Sequence, residues 1–130
     1  MNEYQHEILE RRTSEAHKLW NEMASSGFTE TTVAALDFVF FSDSENEAKE
    51  LTKQLSENYT AKLVETNEPG YMLVKGTTRP YGNEFTKEQW FGWVEFMVSL
   101  GFSHNSVFST WSVYSPEMKA TWSSEIIEAE

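Results

Sequence analysis

The stretch TKEQWFGWVEFMVSLGFSHNSVFSTWSVY, residues 86–114, predicts a helix, a turn and a strand in direct succession. Thr86 has the residue type of a helix N-cap, and Gln89 follows it at the spacing of a capping box. Phe85, just before the cap, and Trp90 have the spacing of a hydrophobic staple. Apolar residues then recur every three or four positions, which indicates an amphipathic helix packed on a sheet.

The same stretch contains the residues that first suggest an enzyme. Gly101 is expected to end the helix, with Phe102 folding back onto it. His104 then lies among serines, but no glycine pattern of the nucleophile-elbow type surrounds them. We therefore interpret His104 as a turn residue and residues 106–114 as a strand with small polar and large apolar side chains.

Upstream, residues 32–41, TVAALDFVFF, are rich in β-branched and aromatic side chains and are apolar on both faces, which predicts a central strand. Asp37 is the one charged residue in it. A carboxylate there must be hydrogen-bonded, for example to the serine- and threonine-rich last strand, or must face the open side of the sheet. Residues 43–57 follow as a surface helix, with Ser42 or Ser44 as the N-cap.

The complete order of predicted elements defines the fold class. Residues 3–26 predict a helix ending at Gly27, and residues 59–65 and 71–77 predict a hairpin around Pro69 and Gly70. The order is a leading helix followed by β-α-β-β-α-β, which is typical of the ferredoxin-like split topology. We expect an α+β, ferredoxin-like α/β sandwich, with a four-stranded antiparallel sheet and two helices on one face. The leading helix is expected at a sheet edge or over part of the open face.

The chain is expected to form a single domain, since 130 residues are typical of one. Its parts would be the N-terminal helix, a βαββαβ core over about residues 32–115 and an acidic tail over residues 116–130. The tail contains Trp122, Ile126 and Ile127, which would cover a sheet edge, cap the core or mediate self-association.

Charge restricts the class of partner. The formal net charge is -11, from 21 acidic residues against 10 Lys and Arg. Nucleic-acid binding needs a concentrated cationic surface, so we expect no direct nucleic-acid contact. A basic protein partner fits better, although acidity also serves solubility alone.

Cysteine is absent, which excludes disulfides and thiolate metal sites and fits a cytoplasmic protein. No apolar run has the length of a membrane span, so no membrane association is expected.

We expect neither a metal nor a cofactor. His6 and His17 are eleven residues apart on the first helix, so about 16 Å of axial rise separates them. The glycines do not form a phosphate-binding loop. Aromatic residues make up 15% of the chain, and we interpret most of them as core. A base-stacking platform with Phe41, Phe108 or Trp111, or a protein-binding patch, are the other uses considered.

A family resemblance appears in the run WVEFMVSLGFSHNSVFSTWSVYSPE, residues 93–117. It resembles the end of the ribonuclease E activity regulator B family, also called ribonuclease E inhibitors. Members of that family close with a helix, a turn and a strand that carries a Trp and, three residues later, an aromatic, here Trp111 and Tyr114. The upstream runs ALDFVFFSD and EAKELTKQL follow the family's element order. The family's aspartate-rich tail has no counterpart in MKATWSSEIIEAE, residues 118–130.

This resemblance implies a ferredoxin-like, acidic, cytoplasmic protein that is not an enzyme. It also implies regulation of the endoribonuclease that organises RNA decay, through protein–protein contact. The interaction residues we predict are Glu45, Glu47 and Glu50 on the acidic helix, with Asp37 and Trp111 near the open face.

Two other hypotheses remain open from the sequence. One is a small hydrolase or ligand-binding enzyme that uses Asp37 and His104 on the open sheet face. The other is an acidic immunity-type protein that neutralises a basic toxin. Oligomeric state is not predicted.

Overall fold

The structure is a computed structural model that describes residues 1–68, 70–80 and 82–125. Within these residues the chain forms three helices and five strands. The helices are α1 (Glu3–Ser25), α2 (Glu45–Leu55) and α3 (Lys87–Ser103). The strands are β1 (Ala35–Ser42), β2 (Thr60–Glu65), β3 (Met72–Thr77), β4 (Ser106–Ser115) and β5 (Ala120–Ser123).

The sheet of the described residues is antiparallel and has the strand order β2-β3-β1-β4-β5. The predicted α+β class is confirmed, and β1 is central as expected. The predicted number of four strands is wrong, because the sheet continues through β5. The β2–β3 hairpin is confirmed, and Gly70, in its turn, has a positive φ of 89°. Pro69 lies outside the described residues.

Strand β5 corrects the prediction of a tail over residues 116–130. It pairs with β4 from the Ser115↔Ala120 pair to the Ser112↔Ser123 pair. Trp122 is 8% exposed and meets the ring of Phe28 edge to face at 5.8 Å. Of the roles considered, Trp122 therefore caps the core, and the strand that carries it also covers the edge of β4. Ile126 and Ile127 lie outside the described residues.

The helix starts agree with the sequence because caps are local. Thr86 and Gln89 form the capping box of α3, and the rings of Phe85 and Trp90 stack at 5.6 Å. Ser44, rather than Ser42, is the N-cap of α2.

The helix ends agree only in part. Gly27 follows α1 with a φ of 102°, and the amide of Phe28 donates to the carbonyl of Met23, as in a Schellman ending. The prediction that Gly101 ends α3 is wrong. The helix continues to Ser103, and Asn105 takes the left-handed conformation with a φ of 50°.

All three helices lie on one face of the sheet. Helix α2 packs on β1, β2 and β3, and α3 packs on β4. Helix α1 packs beside α3 and reaches β5, and the indole Nε1 of Trp90 donates to the carbonyl of Ala16 at 3.1 Å. The prediction of two helices on this face is therefore one too few, and the opposite face stays uncovered by helices in the described part of the chain.

Candidate functional site

Asp37 lies on the open face, but it is already paired. The guanidinium of Arg79 donates to both carboxylate oxygens of Asp37, with Nε and Nη2 at distances of 3.0 to 3.2 Å. The hydroxyl of Thr77 donates to the same carboxylate. The expected partner, the last strand, is only a cross-strand neighbour through Ser112. Arg79 also lies over the ring of Tyr114 at 4.7 Å, which holds the ion pair in place. Within the pair, the charges of Asp37 and Arg79 offset each other.

Trp111 lies on the covered face, which corrects its expected place near the open face. Its side chain is 2% exposed and stacks on Phe108 at 5.2 Å. The reason is a bulge: Val39 pairs with Thr110 and Phe40 pairs with Phe108, so Ser109 has no partner in the register. The extra residue shifts the alternation, so Phe108 and Trp111 both face the core and neither forms a stacking platform.

His104 is held by α2. Its Nε2 lies 2.7 Å from Oε1 of Gln54, and its Nδ1 lies 3.9 Å from Oε2 of Glu47. The cavity that Asp37 lines does not include His104 among its described residues. The enzyme hypothesis requires one pocket lined by both Asp37 and His104, and the cavity at Asp37 is not such a pocket.

The three predicted acidic residues of α2 have different surroundings. Glu45 is exposed and pairs with Lys49, one turn along α2, at 3.2 Å. Glu47 lies toward His104, and Glu50 is exposed without a described ion pair. Only Glu45 lines a concave surface together with other carboxylates.

That surface lies where β1 leads into α2 and β2 turns into β3. We call it the acidic end, and it is a cavity of about 390 Å³. Its charged lining residues are Asp43, Glu45, Glu65 and Glu68. Glu65 and Glu68 could not be predicted from the sequence, because the hairpin brings them next to α2 only in the folded chain.

An aromatic pair borders the acidic end. Tyr71 lines the cavity and stacks on Phe41 with ring centroids 4.9 Å apart. Tyr71 is 41% exposed and Phe41 is 36% exposed. The hydroxyl of Thr66 donates to the carbonyl oxygens of Glu68 and Tyr71, each at 3.0 Å, which fixes the turn that carries them. Carboxylates beside exposed aromatic rings are a surface suited to Lys and Arg side chains.

The open face forms a second concavity of about 480 Å³. Lys62 and Lys75 line it, directly opposite each other on β2 and β3. The sequence did not predict this lysine pair, because each lysine is isolated in the sequence and only strand pairing places the two together.

Among the described residues, no group of three or more His, Cys, Asp or Glu side chains has a geometry that could hold a metal ion. None of the described helices is both long and apolar enough to cross a bilayer. No family model and no curated protein matches this sequence.

Proposed function

We propose that this chain is a non-enzymatic regulatory protein that binds a basic segment of another protein at the acidic end. The observation that carries the proposal is the convergence of Asp43, Glu45, Glu65 and Glu68 around one cavity. Cationic side chains would be attracted by the carboxylates and would stack on the Phe41–Tyr71 pair.

The resemblance to ribonuclease E inhibitors directs the proposal to one class of partner, a cytoplasmic endoribonuclease that processes RNA. The order β2-β3-β1-β4 supports a ferredoxin-like core, to which β5 and α1 are additions. A basic toxin has the same charge complementarity, so identifying the partner also separates the regulatory hypothesis from the immunity-type one.

The test is affinity purification from the native host at about 50 mM and about 200 mM salt, with mass spectrometry. Wild-type protein is compared with Glu65→Gln/Glu68→Gln and with the matched control Glu7→Gln/Glu22→Gln, which removes two exposed carboxylates from α1. We expect a basic partner that the control retains and the acidic-end variant loses, with the larger difference between them at the lower salt, where the carboxylates are screened least. With the purified partner, the acidic-end variant should bind about three- to tenfold more weakly.

Phe41→Ala and Tyr71→Ala test the aromatic border independently of charge. Each should weaken binding of the same partner with little change in its salt dependence, because a ring contact is not screened as an exposed ion pair is. The proposal fails if no partner distinguishes the two double variants and overexpression leaves RNA decay unchanged.

A further inference from the structure

The open face is organised in rows that run across the strands. Strand register defines their membership. Read from β2 toward β5, the rows are Val64, Leu73, Phe41 and Val107; then Lys62, Lys75, Val39 and Thr110; then Thr60, Thr77, Asp37, Ser112 and Ser123. An apolar row therefore adjoins a cationic row, and the cationic row adjoins a row of hydroxyls.

The lysine pair is electrostatically unfavourable in the protein alone. Lys62 and Lys75 are direct cross-strand partners, a relation that brings Cβ atoms to about 5 Å, and like charges so placed destabilise a sheet. Neither lysine forms an ion pair within the described residues, although acids outnumber Lys and Arg by 21 to 10. Asp37, the nearest carboxylate in the rows, is already paired with Arg79.

Hydroxyl groups without a hydrogen-bond partner among the described residues line the same cavity as the two lysines. Thr60, Thr110 and Ser112 line the same cavity, and their side chains make no hydrogen bond within the described part of the chain. Glu125 also lines the cavity, but from beyond β5, four strand spacings or about 19 Å from β2. The end of the cavity at β2 and β3 is therefore cationic, with the unused hydroxyl of Thr60 beside it and those of Thr110 and Ser112 farther along, on β4.

We propose that this end of the open face binds the phosphate group of a small phosphorylated ligand. Two adjacent ammonium groups match the charge of a phosphate monoester, which is close to -2 near neutral pH. A carboxylate would offset only one of them. The cavity of about 480 Å³ lies within the usual size of small-molecule sites, so the rest of the ligand would extend over Val39 toward Thr110 and Ser112.

The experiment is a titration followed by amide and lysine Nζ NMR at constant ionic strength. Inorganic phosphate is the primary probe, and chloride at matched ionic strength is the blank. We expect shifts confined to residues around Lys62 and Lys75. The variant Lys62→Gln/Lys75→Gln should bind phosphate about a hundredfold more weakly, because each charge-assisted hydrogen bond is worth about a factor of ten and both lysines are removed.

The matched control is Lys18→Gln/Lys53→Gln, which removes two exposed lysines from α1 and α2. It should change phosphate affinity less than twofold. Equal losses in the two variants, or the absence of local shifts with phosphate, would overturn the proposal. The melting temperatures of both variants are measured alongside, so that a loss of binding caused by unfolding is recognised.

Further ligands test whether the phosphate group belongs to a small molecule or to a polymer. Adenosine monophosphate should bind more tightly than adenosine, and equal binding of the two would overturn the role of the phosphate. A single-stranded RNA oligonucleotide tests whether the same residues bind RNA instead. If it shifts the same residues while phosphate and the mononucleotide do not, the small-ligand proposal is wrong.

Discussion

Gly76 and Gly92 differ in the space that a side chain would have at each position. A Cβ at Gly76 would lie 2.4 Å from the ring of Phe38, far inside contact distance. A Cβ at Gly92, on the exposed side of α3, would meet no atom within 4 Å. Gly76 is therefore required by packing, whereas Gly92 only makes the helix less favourable.

We predict that Gly76→Ala destabilises the protein by about 1–3 kcal/mol, because the Phe38 ring must move within a packed core. The matched change Gly92→Ala should stabilise it by about 0.5–1 kcal/mol, because alanine is the better helix former. Urea unfolding followed by circular dichroism measures both. The same sign of effect for the two variants would contradict the assigned surroundings.

A buried charged pair connects α1 to the sheet. Arg12 is 6% exposed and Glu15 is 5% exposed, and their side chains meet at 2.7 Å. The Nε of Arg12 also donates to the carbonyl of Phe108, next to the bulge in β4, at 2.7 Å.

We predict that Arg12→Met destabilises the fold by about 3 kcal/mol, since it leaves a buried carboxylate without its guanidinium. The double change Arg12→Met/Glu15→Met should cost less than Arg12→Met alone, because the buried charge is then removed as well. Free energies of unfolding for the two variants and the wild type decide this. A double variant less stable than the single one would show that the carboxylate has other essential roles.

Among the elements, β5 is followed by a side-chain hydrogen bond to β4 that is not part of the strand ladder. The backbone amide of Trp111, in β4, donates to the hydroxyl of the buried Ser124 at 3.0 Å. The hydroxyl of Ser124 thus accepts from a backbone amide that has no acceptor in the β4–β5 ladder, two residues after the bulge at Ser109.

We predict that Ser124→Ala costs about 1–3 kcal/mol, because it leaves this buried amide without an acceptor. Ser123→Ala is the matched control: its hydroxyl accepts only from the exposed amide of Glu125, so the cost should stay below about 0.5 kcal/mol. Hydrogen exchange should also show faster exchange of the Trp111 amide in Ser124→Ala alone. Equal exchange rates in the two variants would contradict the assigned acceptor.

Local signals made the starts of elements predictable and their ends less so. The capping box at Thr86 needs only residues three apart, so the start of α3 follows from the sequence. Its end does not, because Gly101 lies inside the helix and close to the core: a Cβ there would lie 3.0 Å from the ring of Phe40. A glycine in close tertiary contact and a glycine that ends a helix look the same in the sequence.

Across the molecule, charge is segregated in a way that composition does not reveal. The acidic end collects carboxylates from β1, α2 and the β2–β3 hairpin, while the open face collects Lys62 and Lys75. The net charge of -11 nevertheless sets the long-range field, and self-repulsion of that size destabilises a compact state.

We predict that about 0.5 M sodium chloride at about pH 7 raises the melting temperature by roughly 2–5 °C, because screening weakens this repulsion. Near the sequence pI of about 4.7 the same salt addition should have little effect, since the net charge is then close to zero. Differential scanning calorimetry at the two pH values measures the contrast. A fall in melting temperature with salt at neutral pH would show that attractive ion pairs dominate instead.

The sequence by itself determined the α+β class, the helix starts, the central strand and the hairpin, because periodicity and caps act over a few residues. It also determined the net charge of -11. Only the tertiary structure decided the fifth strand, the burial of Trp111, the pairing of Asp37 with Arg79 and the two concave surfaces. Each of these depends on strand register, since one unpaired residue in β4 reverses which side chains face the core.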